Sequence, residues 1–407
     1  MPNKQKEKSK DFKEIINPRV ISLFSGCGGL DVGFHKEGYK VVWANDIDPW
    51  AIKSFNNYKP FNKVGICADV KEIDPYNIKG VPDGDIVIGG FPCQDFSMIW
   101  KRPGLNGERG NLYKEFLRFV DAKKPLAFLA ENVKGILSAN GGKAVEQIIR
   151  DFENVKPGYI VYPKLYNFAD YGVPQFRERV LFVGIRMDTG FDFQHPKPTH
   201  GPGRLSKWVS AGEALKGVQN VPHNAEHMKI APRTVEILKR IKEGGNFTDI
   251  PKDNKYYVKG MISHVYRRIH RDEPAKTIIA AGGGGTWGYH YPEPRALTNR
   301  ERARLQSFPD DFVFEGSFSE VRRQIGNAVP PEGVRPVARE LLKLFHKRYV
   351  AVDLFAVNEQ LKRLSIKRRL IELREGNLYE NVNMFSGIFQ TNDAMDESEK
   401  DLVSPRK

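Results

Sequence analysis

The chain is predicted to be an α/β protein, with a doubly wound, mostly parallel sheet and a second, smaller, loop-rich domain. Three observations predict it. Short apolar runs alternate with segments of helical period as far as about residue 190, the pattern of strands buried on both faces and linked by covering helices. Asp46, Cys93 and Glu131 sit at or just past the ends of those runs, where open parallel sheets bind ligands. Beyond residue 190 the periodicity gives way to a stretch rich in Pro, Gly and His.

The elements follow in order. VISLF (20–24) is a strand that leads through a glycine turn into a helix over 30–37. YKVVWA (39–44) is the next strand, with its helix at 49–56, and CADV (67–70) ends another short one. DIVIGGF (85–91) precedes the helix NLYKEFLRFVDA (111–122). PLAFLAEN (125–132) is followed by a helix near 143–152, and RVLFVGIR (179–186) is the last strand of this half. Regularity returns at LTNRERARLQSF (297–308), at an amphipathic helix over 334–349, and at a further helix over 357–374 before an acidic, disordered tail. The divisions are a polar tail (1–18), a main body (19–189), a small domain (190–318), a return segment completing the body (319–350) and a helical extension with the tail (351–407).

Lys and Arg outnumber Asp and Glu by 64 to 50, giving a net charge of +14 and suggesting a polyanionic partner. No apolar run approaches the roughly 18 residues of a membrane helix, and the charged N-terminus is not a secretory signal. Cys27, Cys67 and Cys93 are too few and too scattered for a disulfide framework or a metal site. A reducing, cytoplasmic setting is expected.

FSGCGGLDVGF (24–34) joins a strand to a helix, as a nucleotide-binding turn does: glycines allow close approach and the helix N-terminus favours negative charge. Gly26 and Gly28 fit the G-x-G-x-x-G spacing, but Asp31 stands at the third position. Asp46, 20 residues beyond Gly26, could hold a ribose hydroxyl pair. Asp69 suits an adenine amino group or a plain helix cap. In GGFPCQDFS, Pro92 breaks a strand and turns Cys93 into a glycine-rich, basic loop. A thiol there is either inert packing or a nucleophile helped to ionise. Glu131, leaving an apolar strand, is a candidate proton donor whose pKa desolvation raises; pairing with Lys134 is the plainer alternative. Arg177 and Arg179 alternate on one strand face and could fix a carboxylate and a carbonyl together. KYYVKGMISHVYRRIHRDEPAK (255–276) interleaves Tyr257 with Arg267, Arg268 and Arg271, which suits base and phosphate contacts or simply a solvated charged face.

Together, FSGCGG, NDID, the Asp69 segment, GFPCQDFS, ENVKG, YGVPQFRERVLFVGIR, LTNRERARLQSFPDDF and QIGNAVPP resemble one family, the C5-cytosine DNA methyltransferases of bacterial restriction-modification type. The match runs from about residue 20 to 350 in the family's order. It implies a Rossmann-like fold that uses S-adenosyl-L-methionine, with 19–189 as catalytic and cofactor-binding domain and 190–318 as target-recognition domain. The cofactor pocket would comprise Phe24, Ser25, Gly26, Cys27, Gly28, Gly29, Asp46, Ile47, Asp69, Val70 and Pro92, completed by Asn327, Ala328 and Val329. Cys93 would attack cytosine C6, Glu131 would protonate N3, Arg179 would position Glu131 and the cytosine O2, and Arg177, Asn132 and Gln94 would support the pocket. Because chemistry inside a stacked duplex is impossible, the target base would be flipped out, with the 94–110 loop closing behind it. Ser97, Arg109, Tyr257, Arg267, Arg268 and Arg271 would touch DNA. The implied partner is double-stranded DNA, with a cognate restriction endonuclease acting alongside without a stable complex. The protein would be monomeric, cytoplasmic and nucleoid-associated. A tRNA methyltransferase on the same scaffold remains the alternative; a nicotinamide-dependent oxidoreductase is disfavoured by Asp31 and by Cys93 with Glu131.

Overall fold

The structure, a computed structural model, describes residues 15–92, 112–257, 265–280 and 288–346. Seven strands form one sheet: β1 (Arg19–Leu23), β2 (Lys40–Asp46), β3 (Gly65–Cys67), β4 (Ile86–Gly90), β5 (Ala127–Val133), β6 (Tyr159–Asn167) and β7 (Glu178–Arg186), in the order β3-β2-β1-β4-β5-β7-β6. The first five are parallel. The strand order reverses between β1 and β4, so the crevice at their carboxyl ends is where such a sheet receives a ligand.

Two features depart from the sequence reading. YIVYPKLYN is a strand, β6, which was not expected. Its alternation is spoiled by Pro163 and Lys164, and it occupies the sheet edge, where a proline breaks no ladder on the open side. RVLFVGIR is last in the chain but not at the edge. As β7 it lies between β5 and β6, antiparallel to both.

Both faces of the sheet are covered. On one face Val20, Ile88 and Leu129 pack with Phe34 of α1 (Gly29–Lys36), Phe55 of α2 (Pro49–Asn57) and Leu341 of the long C-terminal helix (Pro331–His346). On the other, Ile21, Val87 and Phe128 pack with Phe116 and Phe119 of α3 (Leu112–Lys123) and Ile148 and Phe152 of α4 (Lys143–Asn154). This two-sided burial explains why these strands read as unbroken apolar runs.

The remaining helices are α5 (Ala211–Ala214), α6 (Pro232–Leu238), α7 (Asn299–Leu305), α8 (Phe318–Asn327) and α9 (Pro331–His346). The expected 297–308 helix is shorter, fixed at its start by a Thr298–Glu301 capping box and ended by Ser307 in the left-handed region. α9 closes on α1 so tightly that a Cβ on Gly33 would lie 2.3 Å from Val334. The small domain has two clusters of its own, around Ile237 and around Leu238 and Tyr289, whereas Leu297, Leu305 and Phe308 already belong to the core beneath the sheet. The expected helix over 357–374 and the acidic tail lie outside the described residues. No described helix is long and apolar enough to cross a membrane.

Candidate functional site

The carboxyl ends of β1 and β2 build one half of the site. After β1 the chain turns sharply: Phe24, Gly26 and Gly28 all take positive φ, at 51°, 54° and 96°. A Cβ on Gly26 would meet nothing within 4 Å, so open space lies against it. The Asp46 carboxylate ends β2 and faces this turn, accepting the Gly26 amide at 2.8 Å and the Asp48 amide at 2.9 Å through separate oxygens. The Ile47 amide also lies against this carboxylate. Burial raises the Asp46 pKa, while these amides pull it back down. Ile47, the next residue, is 67% exposed. Asp69 caps the turn that begins at buried Val70, through a bond from the Lys71 amide. Its side chain is half-buried, and the bond it makes is that of a cap.

The far wall comes from the other end of the described chain. The end of α8 delivers Asn327, Ala328 and Val329 against the turn, where a Cβ on Gly29 would lie 2.3 Å from the Val329 carbonyl oxygen. Gly29 therefore exists for close approach. Arg323 on α8 ties to Asp48 at 2.6 Å and fixes this wall to α2. Cys27 is fully buried in the same seam, its Sγ 3.8 Å from the Gln324 carbonyl, and burial drives its pKa far up. It packs, and its thiol is inert. Ser25 bonds the Asn45 carbonyl through its amide, continuing the β1–β2 ladder.

The arrangement fits S-adenosyl-L-methionine. The open space at Gly26 would receive the methionyl part, the Asp46 carboxylate the ribose, and the exposed apolar side chain of Ile47 together with the Asp69 carboxylate the adenine.

The second half lies one strand over. Glu131 is paired with Gly90 in the β4–β5 ladder, and its Oε2 would be 2.7 Å from a Cβ on Gly90, a contact only glycine permits. The carboxylate thus rests on the strand that runs through Phe91 and Pro92 into Cys93. Arg179 holds it, Nε to Oε1 at 2.9 Å. Lys134, the alternative partner, bonds Glu178 instead. Burial raises the Glu131 pKa, opposed by the charges of Arg179 and Arg177. Asn132 donates to the Phe91 carbonyl at 3.0 Å and secures the end of β4. Arg177 sits just before β7, fully buried, and donates to the Ile278 and Gly326 carbonyls at 3.2 and 2.8 Å; burial pushes its pKa down to about 9. Cys93, Gln94, Ser97 and Arg109 lie outside the described residues.

Between β7 and the small domain is a cleft of about 620 Å³, lined by Phe176, Glu178, Arg267, Lys276, Thr277 and Arg302 among others. Arg267 is among the residues that line it. Arg268 is not: its buried guanidinium donates to the carbonyls of Leu238, Ile241, His290 and Tyr291. That corrects the expectation for Arg268, whose four carbonyl partners make it a clamp of the small domain. Arg271 is half-exposed and paired with Glu243. Tyr257 is half-buried against Ile237, Ile241 and Ile250. Sequence reasoning gave no role to Asn45, whose amide donates to the Ile66 and Ala68 carbonyls and ties the end of β2 to β3. It also missed Gln306, buried behind the cofactor wall. Both stand inside quoted motifs, NDID and LTNRERARLQSFPDDF, but nothing local says which carbonyls they bond.

Comparison with known proteins bears on this geometry. The family model for C-5 cytosine-specific DNA methylase matches residues 18–343. The Type II methyltransferase M.NgoFVII of Neisseria gonorrhoeae is 61% identical over 362 residues, covering 88% of this chain and 96% of that protein. M.BbvI of Brevibacillus brevis, also a Type II methyltransferase, is 43% identical over 346 residues, covering 80% and 91%. Among solved structures, a prophage-encoded E. coli protein assigned as a DNA modification methyltransferase superposes with a TM-score of 0.65 at 24% identity, over 81% of this chain and all of that one. The S. pombe Dnmt2 methyltransferase gives 0.54 at 17% identity, over 80% and 98%; these two likenesses speak to the fold. With a family match spanning the sheet, the glycine turn, the Glu131–Arg179 pair and the returning α8, the chain belongs to the C-5 cytosine-specific DNA methylases and is a methyltransferase of that family.

Proposed function

We propose that this enzyme moves the methyl group of S-adenosyl-L-methionine to C5 of a cytosine flipped out of a specific double-stranded DNA sequence, through a covalent Cys93–C6 adduct. One observation carries the reading: the buried Glu131 carboxylate is clamped by Arg179 against Gly90, three residues before Cys93. On this reading Glu131 is the proton donor and Cys93, three residues on from Gly90 in the chain, is the nucleophile.

Cytosine C5 becomes nucleophilic only once C6 has gained a bond. The Cys93 thiolate supplies that electron pair, and the displaced ring electrons collect toward N3, where Glu131 delivers a proton. Desolvation favours the protonated, donating form of Glu131. Arg179 keeps the carboxyl aimed and presents its remaining N–H groups to the base O2. When bound, S-adenosyl-L-methionine supplies an electrophilic methyl on a sulfonium, which C5 takes. N3 then returns its proton to Glu131, and loss of the C5 proton to water restores the C5–C6 double bond and returns the C6–S electron pair to the Cys93 sulfur. Extrusion of the base into the cleft side of the sheet precedes these steps, and the net charge of +14 favours the polyanion.

Bisulfite sequencing of duplex DNA incubated with protein and methyl donor should reveal 5-methylcytosine within one short sequence word. A duplex with 5-fluorocytosine at that position should trap a complex that survives denaturation, because fluorine cannot leave as a proton does. Methyl transfer to tRNA and not to duplex DNA would overturn the substrate, and transfer without a trapped adduct would overturn the covalent route.

A further inference from the structure

Behind the site, three buried side chains join two segments that face different ligands. The amide of Ile278 donates to Gln175 Oε1 at 2.8 Å, and the Ile278 carbonyl accepts from Arg177 Nη1 at 3.2 Å. Gln175 spends both N–H bonds on the Leu305 carbonyl and on Gln306 Oε1, at 3.1 and 2.9 Å. Gln306 passes the connection on, donating to the carbonyls of Ile325 and Ala328. Arg177 Nη2 reaches the same stretch at the Gly326 carbonyl, 2.8 Å away. Gln175 and Gln306 are fully buried and Arg177 nearly so, and both amide groups have all their donors engaged.

The two ends of this bracket differ in purpose. Lys276, Thr277, Ile278 and Ile279 line the cleft between β7 and the small domain. Ala328 and Val329 abut the glycine turn at Gly29. The seam has little slack: a Cβ on Gly326 would lie 2.3 Å from the Ala280 amide nitrogen. In a low-dielectric interior such bonds break only at high cost, so a shift of residue 278 must move 325–328 or break the bracket. The Gly326 carbonyl also lies at the C-terminal end of α8, where the helix dipole favours the Arg177 charge.

We propose that Gln175, Arg177 and Gln306 are positioning residues that couple DNA occupancy of the cleft to the affinity of the cofactor pocket. The inference rests on the reading that both ligands bind this chain. Coupling of this kind is reciprocal, so each ligand must change the other's affinity by the same factor.

The test is calorimetric binding of S-adenosylhomocysteine to the full chain, with and without a duplex containing the methylated word. In the wild type the two affinities should differ by about tenfold or more, within the usual range of coupling. Gln306→Met and Arg177→Met keep side-chain volume but lose the donors, and should bring that ratio to within about twofold; Arg177→Lys should restore part of it. Thr277→Val removes the exposed bond to the Phe176 carbonyl, should fold because no buried group loses a partner, and should lower the ratio by a smaller step. A wild-type ratio near one, or wild-type ratios in Thr277→Val and in whichever buried variants fold, overturns the bracket and leaves the proposed function standing. Failure of the wild type to bind either ligand overturns that function instead.

Discussion

Arg179 and Glu131 meet at 2.9 Å across two strands that run in opposite directions, β7 and β5. In the register of that pair Arg179 stands opposite Val133, two residues beyond Glu131, and so its guanidinium reaches back along the strand to the carboxylate. The pair is mostly shielded from solvent, with side-chain exposures of 14% and 12%. Burial raises the Glu131 pKa and the Arg179 charge opposes the rise. If the protonated carboxyl is the working form, activity falls as pH climbs through its pKa. Arg179→Ala removes the opposing charge, moves that pKa further up, and should shift the alkaline limb of the kcat/KM profile to higher pH while lowering the rate. Glu131→Gln should lower kcat by about 10² to 10³ and abolish that limb. An Arg179→Ala limb displaced to lower pH would contradict the assignment.

Cys93→Ser tests the nucleophile apart from the pocket. Methyl transfer should fall below detection, since a serine hydroxyl is far less ionised than a thiol at neutral pH. S-adenosylhomocysteine affinity should stay within about threefold of wild type, or within about 0.7 kcal/mol. Loss of cofactor binding in this variant would mean that Cys93 acts through structure.

The three glycines of the turn should behave differently when changed to alanine. Gly29→Ala drives a Cβ to 2.3 Å from the Val329 carbonyl oxygen and should destabilise the fold by about 1–3 kcal/mol, as overpacking does. Gly28→Ala meets Phe61 and Phe55 at 2.7 and 2.9 Å with φ at +96°, and should be worse. Gly26→Ala suffers only its left-handed backbone, about 1–2 kcal/mol, because the space beside it is open. Its methyl would project into the cofactor space, so cofactor affinity should drop by more than stability does. Thermal melts paired with calorimetric binding separate the three.

Asp31 makes a prediction for stability against pH. It lies fully buried in the first turn of α1, and burial, outweighing a hydrogen bond from the neighbouring Ser22 hydroxyl, raises its pKa to about 7. The unfolded chain releases this proton near the ordinary value of 3.8. Between those values the folded state binds the extra proton, so its contribution is full at low pH and is lost as pH rises toward 7. Asp31→Asn keeps the shape of the neutral acid and should gain on wild type over that window by up to a few kcal/mol, at about 1.4 kcal/mol per pH unit. Denaturant midpoints at pH 5 and pH 8 measure it; an equal difference at both would sink the argument.

The sequence by itself determined the parallel half of the sheet, because strands buried on both faces must be apolar throughout, and β1, β4 and β5 are. It determined the glycine turn and Asp46 as well, since a positive φ and a close backbone approach restrict residue type so strongly that spacing alone marks them. The motif order placed Glu131, Arg179 and the returning GNAVP segment in one family. Only the tertiary structure decided β6 and the antiparallel insertion of β7, because an edge strand with Pro163 carries no alternation to read. Only it decided that Arg268 is consumed by four main-chain carbonyls while Arg267 lines the cleft; neighbouring arginines look alike until burial is known. Gln175 and Gln306 stand in quoted motifs, yet what they bond was not readable there. Their partners lie 103 and 22 residues away, and hydrogen bonds of that range leave no local pattern.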